Sequence, residues 1–412
     1  MVLFSGDPDL PTLGRPLVDA IRKWPQATTQ LAWDFAVLAL SVVAADTFVN
    51  RSRSTDGWSR IIELTVRLRD PKPWAPALNG LTRCLRFLSG DLWTLTLLDG
   101  GTAVPLPRSP STIEATCVCL FSGGVDSLVG ARDLLADKEV PILVSHAYPG
   151  DGDRQERVHR RLADDPPLRF ATNVNPRWPC NPNELSARTR SLLFFALGSL
   201  VGTGLSRART GTESVRLFVP ENGFISLNVP MTVRRLGSLS TRTTHPRFLS
   251  GLQRVFDQAG MPIELRNPYQ FRTKGEMVRG CKDPAHLGMA LFHTVSCGKW
   301  RRKWKQCGRC VPCLIKRAAL YAANINDKTP YQFTNLRRRL DDEDVRALGE
   351  ALARWRLDGT ERMLRRAVVP AEERSEYAAV FERGMTELEA FLRHAGLPTP
   401  RRPSRQRSSQ KR

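Results

Sequence analysis

No G-x-x-x-x-G-K-S/T run occurs in the 412 residues, which excludes a Walker-type nucleotide loop. Cysteine is sparse, nine residues in all, too few for a disulfide scaffold. Four of the nine gather between positions 297 and 313, a clustering that points to metal in a reducing compartment, here taken as the cytoplasm. Acidic residues fall short as well: 41 stand against 62 Lys and Arg, a formal charge of +21. That balance suits triphosphate and carboxylate ligands, and also nucleic acid or an acidic protein partner. No basic segment followed by an apolar one opens the chain, so no signal peptide is expected. Long uninterrupted apolar runs are missing too. Residues 31–49 come closest, but Asp34 and Asp46 break them up, which predicts a buried helix and no membrane contact. With 41% hydrophobic and 25% charged residues, the composition is that of a soluble globular chain long enough for two or three domains.

Against that background one stretch stands out, Ser122-Gly123-Gly124-Val125-Asp126-Ser127. Before it, Cys117-Val118-Cys119-Leu120-Phe121 is a β-forming apolar run; after it, Leu128, Val129, Ala131, Leu134 and Leu135 recur at helical spacing. Strand, glycine turn, helix is the predicted order. Such a junction binds anions, because the N–H groups of the turn converge and the helix N-terminus adds unpaired donors and the positive end of its dipole. Gly123 and Gly124 leave room for a phosphate against the backbone. Ser122 and Ser127 add hydroxyls, and Asp126 can hold Mg²⁺ or cap the helix. The competing reading is an ordinary serine–glycine turn.

Residues 1–110 read as an amino-terminal α/β region, with alternating strands at 62–68 and 92–97 and a short helix at 81–88. It carries no chemical motif, and Trp58, Trp74 and Trp93 are read as core. Residues 102–112, with three prolines, read as a linker. From 113 the pattern alternates, with strands at 117–121, 140–145, 168–173, 215–220 and 263–266 and a buried helix at 191–201. That rhythm predicts an α/β fold with a parallel, doubly wound sheet. Ligands of such sheets sit beyond the carboxyl ends of the strands. The positions there are the glycine loop, His146 and the residues to 153, Asn175, and Glu221-Asn222-Gly223. His146 is read either as a strand cap or as a substrate contact, and Glu221-Asn222-Gly223 either as a turn or as a binding element. Arg188 and Arg190 open the apolar helix, where a cation opposes the dipole, a placement that suggests a bound anion.

Cys297, nine residues, then Cys307-Gly308-Arg309-Cys310-Val311-Pro312-Cys313 supplies four thiolates, a match to tetrahedral structural Zn²⁺ with no open position. An iron–sulfur cluster is the rival, since spacing alone does not exclude it. Arg301, Arg302, Lys303, Lys305 and Arg309 crowd the loop, offsetting its negative charge and offering a face to a phosphate-rich ligand. Residues 326–398 read as a helical extension with helices at 341–357 and 371–392; Tyr377, Phe381, Met385, Leu388 and Leu392 fall on one face of the second. Residues 399–412 carry six basic residues and no acidic one, and read as a disordered tail, either simply solvated or an arm for nucleic acid.

The glycine loop resembles the SGG-x-DS loop of the PP-loop ATP pyrophosphatases (adenine nucleotide α-hydrolase-like, HUP), which cleave ATP between the α and β phosphates and adenylate a substrate oxygen. Cys297 follows Ser127 by 170 residues, and the two motifs in this order resemble the 7-cyano-7-deazaguanine synthase family, QueC. Lys274-Gly275-Glu276 and Arg317 look like that family's lysine segment and the arginine after its last cysteine. The likeness covers residues 113–325. Pro220-Glu221-Asn222-Gly223-Phe224-Ile225 and residues 237–246 look closer to one branch, the QueC-like QatC proteins of the Qat anti-phage defence system.

The resemblance implies that ATP adenylates the carboxylate of 7-carboxy-7-deazaguanine with release of pyrophosphate. Ammonia then displaces AMP to give the amide, and a second ATP converts the amide to the nitrile. It implies ATP, Mg²⁺ and Zn²⁺ as cofactors. Ser122, Gly123, Gly124, Val125, Asp126, Ser127 and Leu128 would hold the nucleotide, and Asp126, Ser127, Lys274 and Arg190 would carry the chemistry. His146, Glu221 and Asn222 would touch the deazaguanine, and Cys297, Cys307, Cys310 and Cys313 would hold zinc. One departure matters: biosynthetic members have Tyr-Pro-Asp-Cys after the fourth strand, where this chain has Leu227-Asn228-Val229-Pro230-Met231-Thr232. The product is then open between nitrile, amide and an adduct with an amine of a partner protein. Defence-system partners and a homo-oligomer are further expectations. Other readings stay open: biosynthetic nitrile formation for queuosine, a basic zinc-containing nucleic-acid-binding protein with a vestigial loop, and RNA thiolation. The last has only Cys180 and Cys281 outside the zinc set, neither in a CxxC pair.

Overall fold

A computed structural model describes residues 12–147, 150–176, 183–184, 188–208, 214–231, 242–300, 304–339, 342–365, 367–397 and 399. The basic tail beyond 399, Arg301, Arg302, Lys303, Cys180, Thr232 and residues 237–241 lie outside them.

Two helices come first, α1 (Arg15–Lys23) and α2 (Gln30–Phe48). By length and composition α2 is apolar enough to cross a membrane, yet it is packed inside the fold. The two acids that interrupt it show how. Asp34 accepts from the backbone N–H groups of Arg69 (2.9 Å) and Asp70 (3.0 Å). Asp46 pairs with Arg60 and accepts from the N–H and hydroxyl of Thr189 at 2.9 and 2.8 Å. Buried carboxylates are tolerated only with partners of this kind.

Strand β1 (Ile61–Arg67), helix α3 (Leu78–Ser89) and strand β2 (Leu92–Leu98) follow; the strands pair in parallel from Ile61↔Leu92 to Arg67↔Leu98. Trp74 and Trp93 are core, but Trp58 is 40% exposed and carries the Arg188 guanidinium over its ring, 4.6 Å from the centre. Arg188 Nη1 donates to Ser89 O at 2.7 Å, but burial and the nearby Arg51 charge outweigh Asp91 and Asp46 and lower the guanidinium to about 10, and its Nε and Nη2 are buried without an acceptor among the described residues. Residues 102–112 lie along the first two helices rather than crossing a gap: the N–H groups of Val104, Arg108 and Ser111 donate to Gln30 Oε1, Arg22 O and Pro25 O, each at 2.9 Å.

The second sheet is built from β3 (Cys117–Leu120), α4 (Val125–Ala136), β4 (Pro141–His146), α5 (Gly152–His159), β5 (Arg169–Thr172), α6 (Arg190–Ala208), β6 (Val215–Phe218), α7 (Gly223–Ser226), α8 (Pro246–Ala259) and β7 (Ile263–Arg266). Its five strands are all parallel, in the order β5-β4-β3-β6-β7. Every residue of β3 and β4 is buried, which is why both read as continuous apolar runs rather than alternating ones. α6 covers one face, brought close by Gly202, where a Cβ would lie 2.5 Å from Ile263 Cδ1. α4 packs on the other. The α6 face shares its core with the amino-terminal helices; Phe35 of α2 meets Phe256 of α8 edge-on at 5.2 Å. The chain runs outward from β3 through β4 to β5, then returns to β6 on the other side of β3. Strand order therefore reverses between β3 and β6, the place where open parallel sheets bind ligands.

Helices α9 (Lys274–Arg279), α10 (Pro284–Leu291) and α11 (Val311–Ala322) complete the α4 side, and α12 (Glu343–Leu364) and α13 (Arg374–His394) add a helical unit with its own core. Tyr377, Phe381, Met385, Leu388 and Leu392 are all buried on α13, as their spacing predicts. α12 is broken at Gly359, with φ +76. α13 also grips the start of α9. Glu387 accepts from Gly275 N–H (3.3 Å) and the Thr273 hydroxyl, and Arg383 donates to Glu276 (2.6 Å) and Phe271 O (2.8 Å).

Candidate functional site

β3 ends at Leu120 and α4 begins at Val125, so the chain turns within residues 121–124. Gly123 makes the bend at φ +77, where a Cβ would also press to 3.1 Å from Gln155 Cγ. Gly124 is the N-cap, and no side chain caps α4, which leaves first-turn N–H groups for an anion. Ser127 Oγ donates to Gly124 O (3.1 Å) and lies 3.3 Å from Ser122 Oγ. The loop is held from two sides: Gln155 Nε2 donates to Ser122 O (3.3 Å), and Val295 N–H donates to Gly123 O (3.3 Å). Val125 and Leu128 turn their side chains into the core, and the Leu128 N–H is spent on Gly124 O at 3.1 Å.

Asp126 faces across the strand reversal. Lys274 Nζ donates to its Oδ1 at 2.7 Å, and Asn222 Nδ2 donates to its Oδ2 at 2.8 Å. Asn222 also lies 3.1 Å from Glu221 Oε1 and caps α7 through its side-chain oxygen, which accepts from Ile225 N–H at 3.0 Å. Burial works against the charge on Asp126, but Lys274, Glu221 and Asn222 outweigh it and hold the carboxyl below its usual range. Glu221 goes the other way: burial, then the charge on Asp126, push it well above the carboxylate range. The result is two carboxyl groups pushed in opposite directions, a lysine and an amide beside an uncapped helix N-terminus. Thr273 caps α9 in a full capping box with Glu276, which fixes the turn that carries Lys274.

His146 and Arg190 form a separate pair at the end of β4. Arg190 Nε donates to His146 Nδ1 at 3.4 Å, while His146 Nε2 donates to Val174 O at 2.9 Å, which sets the tautomer. Gln155 links this pair to the loop, because its Nε2 also lies 3.3 Å from His146 O. Burial, then the Arg190 charge, lower His146 to about 4. The unfolded chain, with an ordinary histidine near 6.5, binds the extra proton first, so stability falls as pH drops through the window from 6.5 to 4. By linkage this one group removes about 2 kcal/mol between pH 7.5 and 5. Urea unfolding at both values should therefore show a steeper loss for the natural chain than for His146→Asn, and equal slopes would contradict the assignment.

The four cysteines come together as their spacing predicts. All four sulfurs lie within 4.8 Å of one another, and all are buried. Cys307 and Cys313 are 4.0 Å apart and Cys297 and Cys310 are 3.9 Å apart. Tetrahedral zinc with bonds of about 2.3 Å needs separations of about 3.8 Å, so the quartet fits one zinc ion. Gly308, at φ +79, makes the knuckle's turn; a Cβ there would lie 2.5 Å from Phe333 O. Arg317 braces it, donating to Gly308 O (3.1 Å) and Thr334 O (2.7 Å), and Arg309 is taken up by Asp342. The Arg309 charge is thus answered inside the fold.

Two residues that sequence reasoning passed over also belong here. Gln155 carries no motif. Lys316, one turn beyond Cys313, is fully buried and donates to the carbonyl and hydroxyl of Thr294, both at 3.0 Å. Burial lowers it to about 8. Its signal is weak, because Lys316 stands beside a second cation, Arg317, between Leu314-Ile315 and Ala318-Ala319. Through Thr294 and its neighbour Val295, the cysteine knuckle and the glycine loop are mechanically joined.

A family model described as the queuosine biosynthesis protein QueC matches residues 243–324. That span holds α8, β7, Lys274 and the four cysteines, while the glycine loop lies before it. No curated protein and no solved structure matches the chain.

Proposed function

We infer, from a QueC-like span that carries both the lysine and the cysteine quartet, that this chain is an ATP-dependent enzyme of the PP-loop type. In this reading it transfers AMP to a carboxylate and releases pyrophosphate. The observation that carries it is the uncapped N-terminus of α4 at the strand reversal, set beside the Asp126–Lys274–Asn222 cluster. ATP supplies the electrophilic α-phosphorus. A carboxylate oxygen attacks it, the bond to the bridging oxygen breaks, and the electron pair leaves on pyrophosphate. The N–H groups after Gly124, with the hydroxyls of Ser122 and Ser127, are suited to hold that leaving charge. Lys274 adds a fixed cation, and Asp126 is the carboxylate that would hold Mg²⁺ brought in with the nucleotide. Arg190, paired with His146 at the end of β4, is a weaker candidate for the adenylate's own charge.

The finer reading takes 7-carboxy-7-deazaguanine as the acid and places the chain near the QatC branch of anti-phage defence. An amine then attacks the activated carbonyl carbon, AMP departs, and the amine loses a proton. Leu227, Val229 and Met231 stand where biosynthetic enzymes carry Tyr-Pro-Asp-Cys, and all three are buried among the C-terminal helices. That favours an acceptor other than the one that ends in free nitrile, including an amine on a partner protein. An intact set of paired charges argues against a vestigial loop in a nucleic-acid-binding protein.

ATP:pyrophosphate exchange dependent on 7-carboxy-7-deazaguanine tests the reading, with Asp126→Ala as control. Acid-dependent exchange, lost in the control, is the expected result. ATP returned intact with that acid and with simple aromatic acids would overturn it. Mass spectrometry of the products with ammonia or a candidate partner then separates nitrile, amide and protein adduct.

A further inference from the structure

The two donors on Asp126 come from the shortest helices near the site. Asn222 is the N-cap of α7, which has four residues, and Lys274 is the first residue of α9, which has six. Helices of that length do not hold themselves, so their place is set by what packs on them. For both, part of that packing is the same stretch of α13.

Gly384 faces α7. A Cβ there would lie 2.4 Å from the Phe224 ring, so only glycine lets the two helices come this close. Phe381, on the same helix, meets Phe224 with ring centres 5.6 Å apart. Three residues beyond Gly384, Glu387 faces α9. Its carboxyl accepts from Gly275 N–H at 3.3 Å and from the Thr273 hydroxyl. Thr273 and Gly275 flank Lys274 on either side. The hydrogen of the Thr273 hydroxyl goes to Glu387, which leaves the oxygen free for Glu276 N–H at 3.0 Å, the bond that caps α9. Gly275 is matched to this contact as well, because a Cβ on it would lie 2.5 Å from Glu387 Oε1.

We propose that this one turn of α13 positions the site: Gly384, through Phe224, sets Asn222, and Glu387, through Thr273 and Gly275, sets Lys274, so that both donors meet Asp126. The C-terminal helical unit is then a working part of the site and not an appendage. Glu387 and Gly384 are positioning residues, since they reach Asp126 only through other groups. The chemical consequence rests on the adenylation reading; the placing of the two donors does not. Burial raises the Glu387 carboxyl to about 7, with Glu276 adding to the rise and Thr273, Gly275 and Arg279 opposing it; Arg383 of α13 is taken up by Glu276. The ionised carboxyl is the form that accepts from both groups, so the hold on Lys274 tightens as pH rises through 7.

Pyrophosphate exchange followed against pH tests the consequence. The natural chain should gain activity as pH passes 7, and Glu387→Gln should lose that rise. Its kcat above pH 8 should fall by about ten- to a hundredfold, the cost of a misplaced group, with KM for ATP little changed. Gly275→Ala, whose new methyl group would displace the Glu387 carboxylate, should give the same loss, and the double variant no more than either. Urea unfolding without nucleotide or acid tests the positioning by itself: the midpoint shifts of Glu387→Gln and Lys274→Met should not add. Additive shifts, with the natural pH profile kept in Glu387→Gln, would overturn the proposal. Non-additive shifts in a chain that shows no exchange would keep it and remove the adenylation reading.

Discussion

Lys274→Met is expected to abolish acid-dependent pyrophosphate exchange and to destabilise the fold at the same time. Lys274 Nζ is 2.7 Å from Asp126 Oδ1, and both side chains are nearly closed off from solvent. Taking away one partner leaves a buried carboxylate beside Glu221 with no counter-charge, a change that costs about 3–5 kcal/mol. Exchange should fall at least about a hundred- to a thousandfold, as when a fixed donor to developing charge is lost. The double variant Asp126→Asn with Lys274→Met separates the two effects. With both charges gone, unfolding by urea should return most of the way to the natural midpoint, while exchange stays lost. If exchange in the single variant stays within tenfold of the natural chain, the pair is a structural strut and the site lies elsewhere.

This pairing shows where single-sequence reading stops. Asp126 and Lys274 are 148 residues apart, and nothing in composition or periodicity joins them. The glycine loop was legible because its signal is local: a strand, two glycines and a helix within a few residues. β7 is found at residues 263–266, where the pattern places it, while the other strands shift by a residue or two at their ends. α5 was missed for a physical reason. Only Gln155 and Val158 of its eight residues are buried, so it shows almost no apolar periodicity. α8 was readable and went unread: Phe248, Leu252, Val255 and Phe256 recur at helical spacing behind a His245 cap and a first-turn proline. The surroundings of Arg188 are not legible in the sequence either, because the charges nearest it, Arg51, Asp91 and Asp46, come from distant parts of the chain.

The largest loss of stability is expected from taking metal out of the cysteine knuckle. All four sulfurs lie within 4.8 Å of one another, a spacing that suits one shared metal ion; a cluster of several irons would set its thiolates on different metals and farther apart. Metal analysis should give one zinc per chain, no iron and no visible absorption band. Iron with inorganic sulfide at several atoms per chain would refute the assignment. Four-thiolate sites of this kind contribute on the order of 10 kcal/mol to folding in small domains, so Cys313→Ser, or a strong chelator, should melt the knuckle. The consequence reaches beyond the metal. Cys313 sits one turn before Lys316, Lys316 holds Thr294, and the next residue's N–H holds Gly123 O. Loss of zinc should therefore release the glycine loop on one side and cost exchange activity. Zinc has no open position for substrate in such a site, so the loss would come through position alone. Adding zinc back to the chelated natural chain should restore exchange and thermal midpoint together, and a return of stability without activity would show that knuckle and loop are not linked.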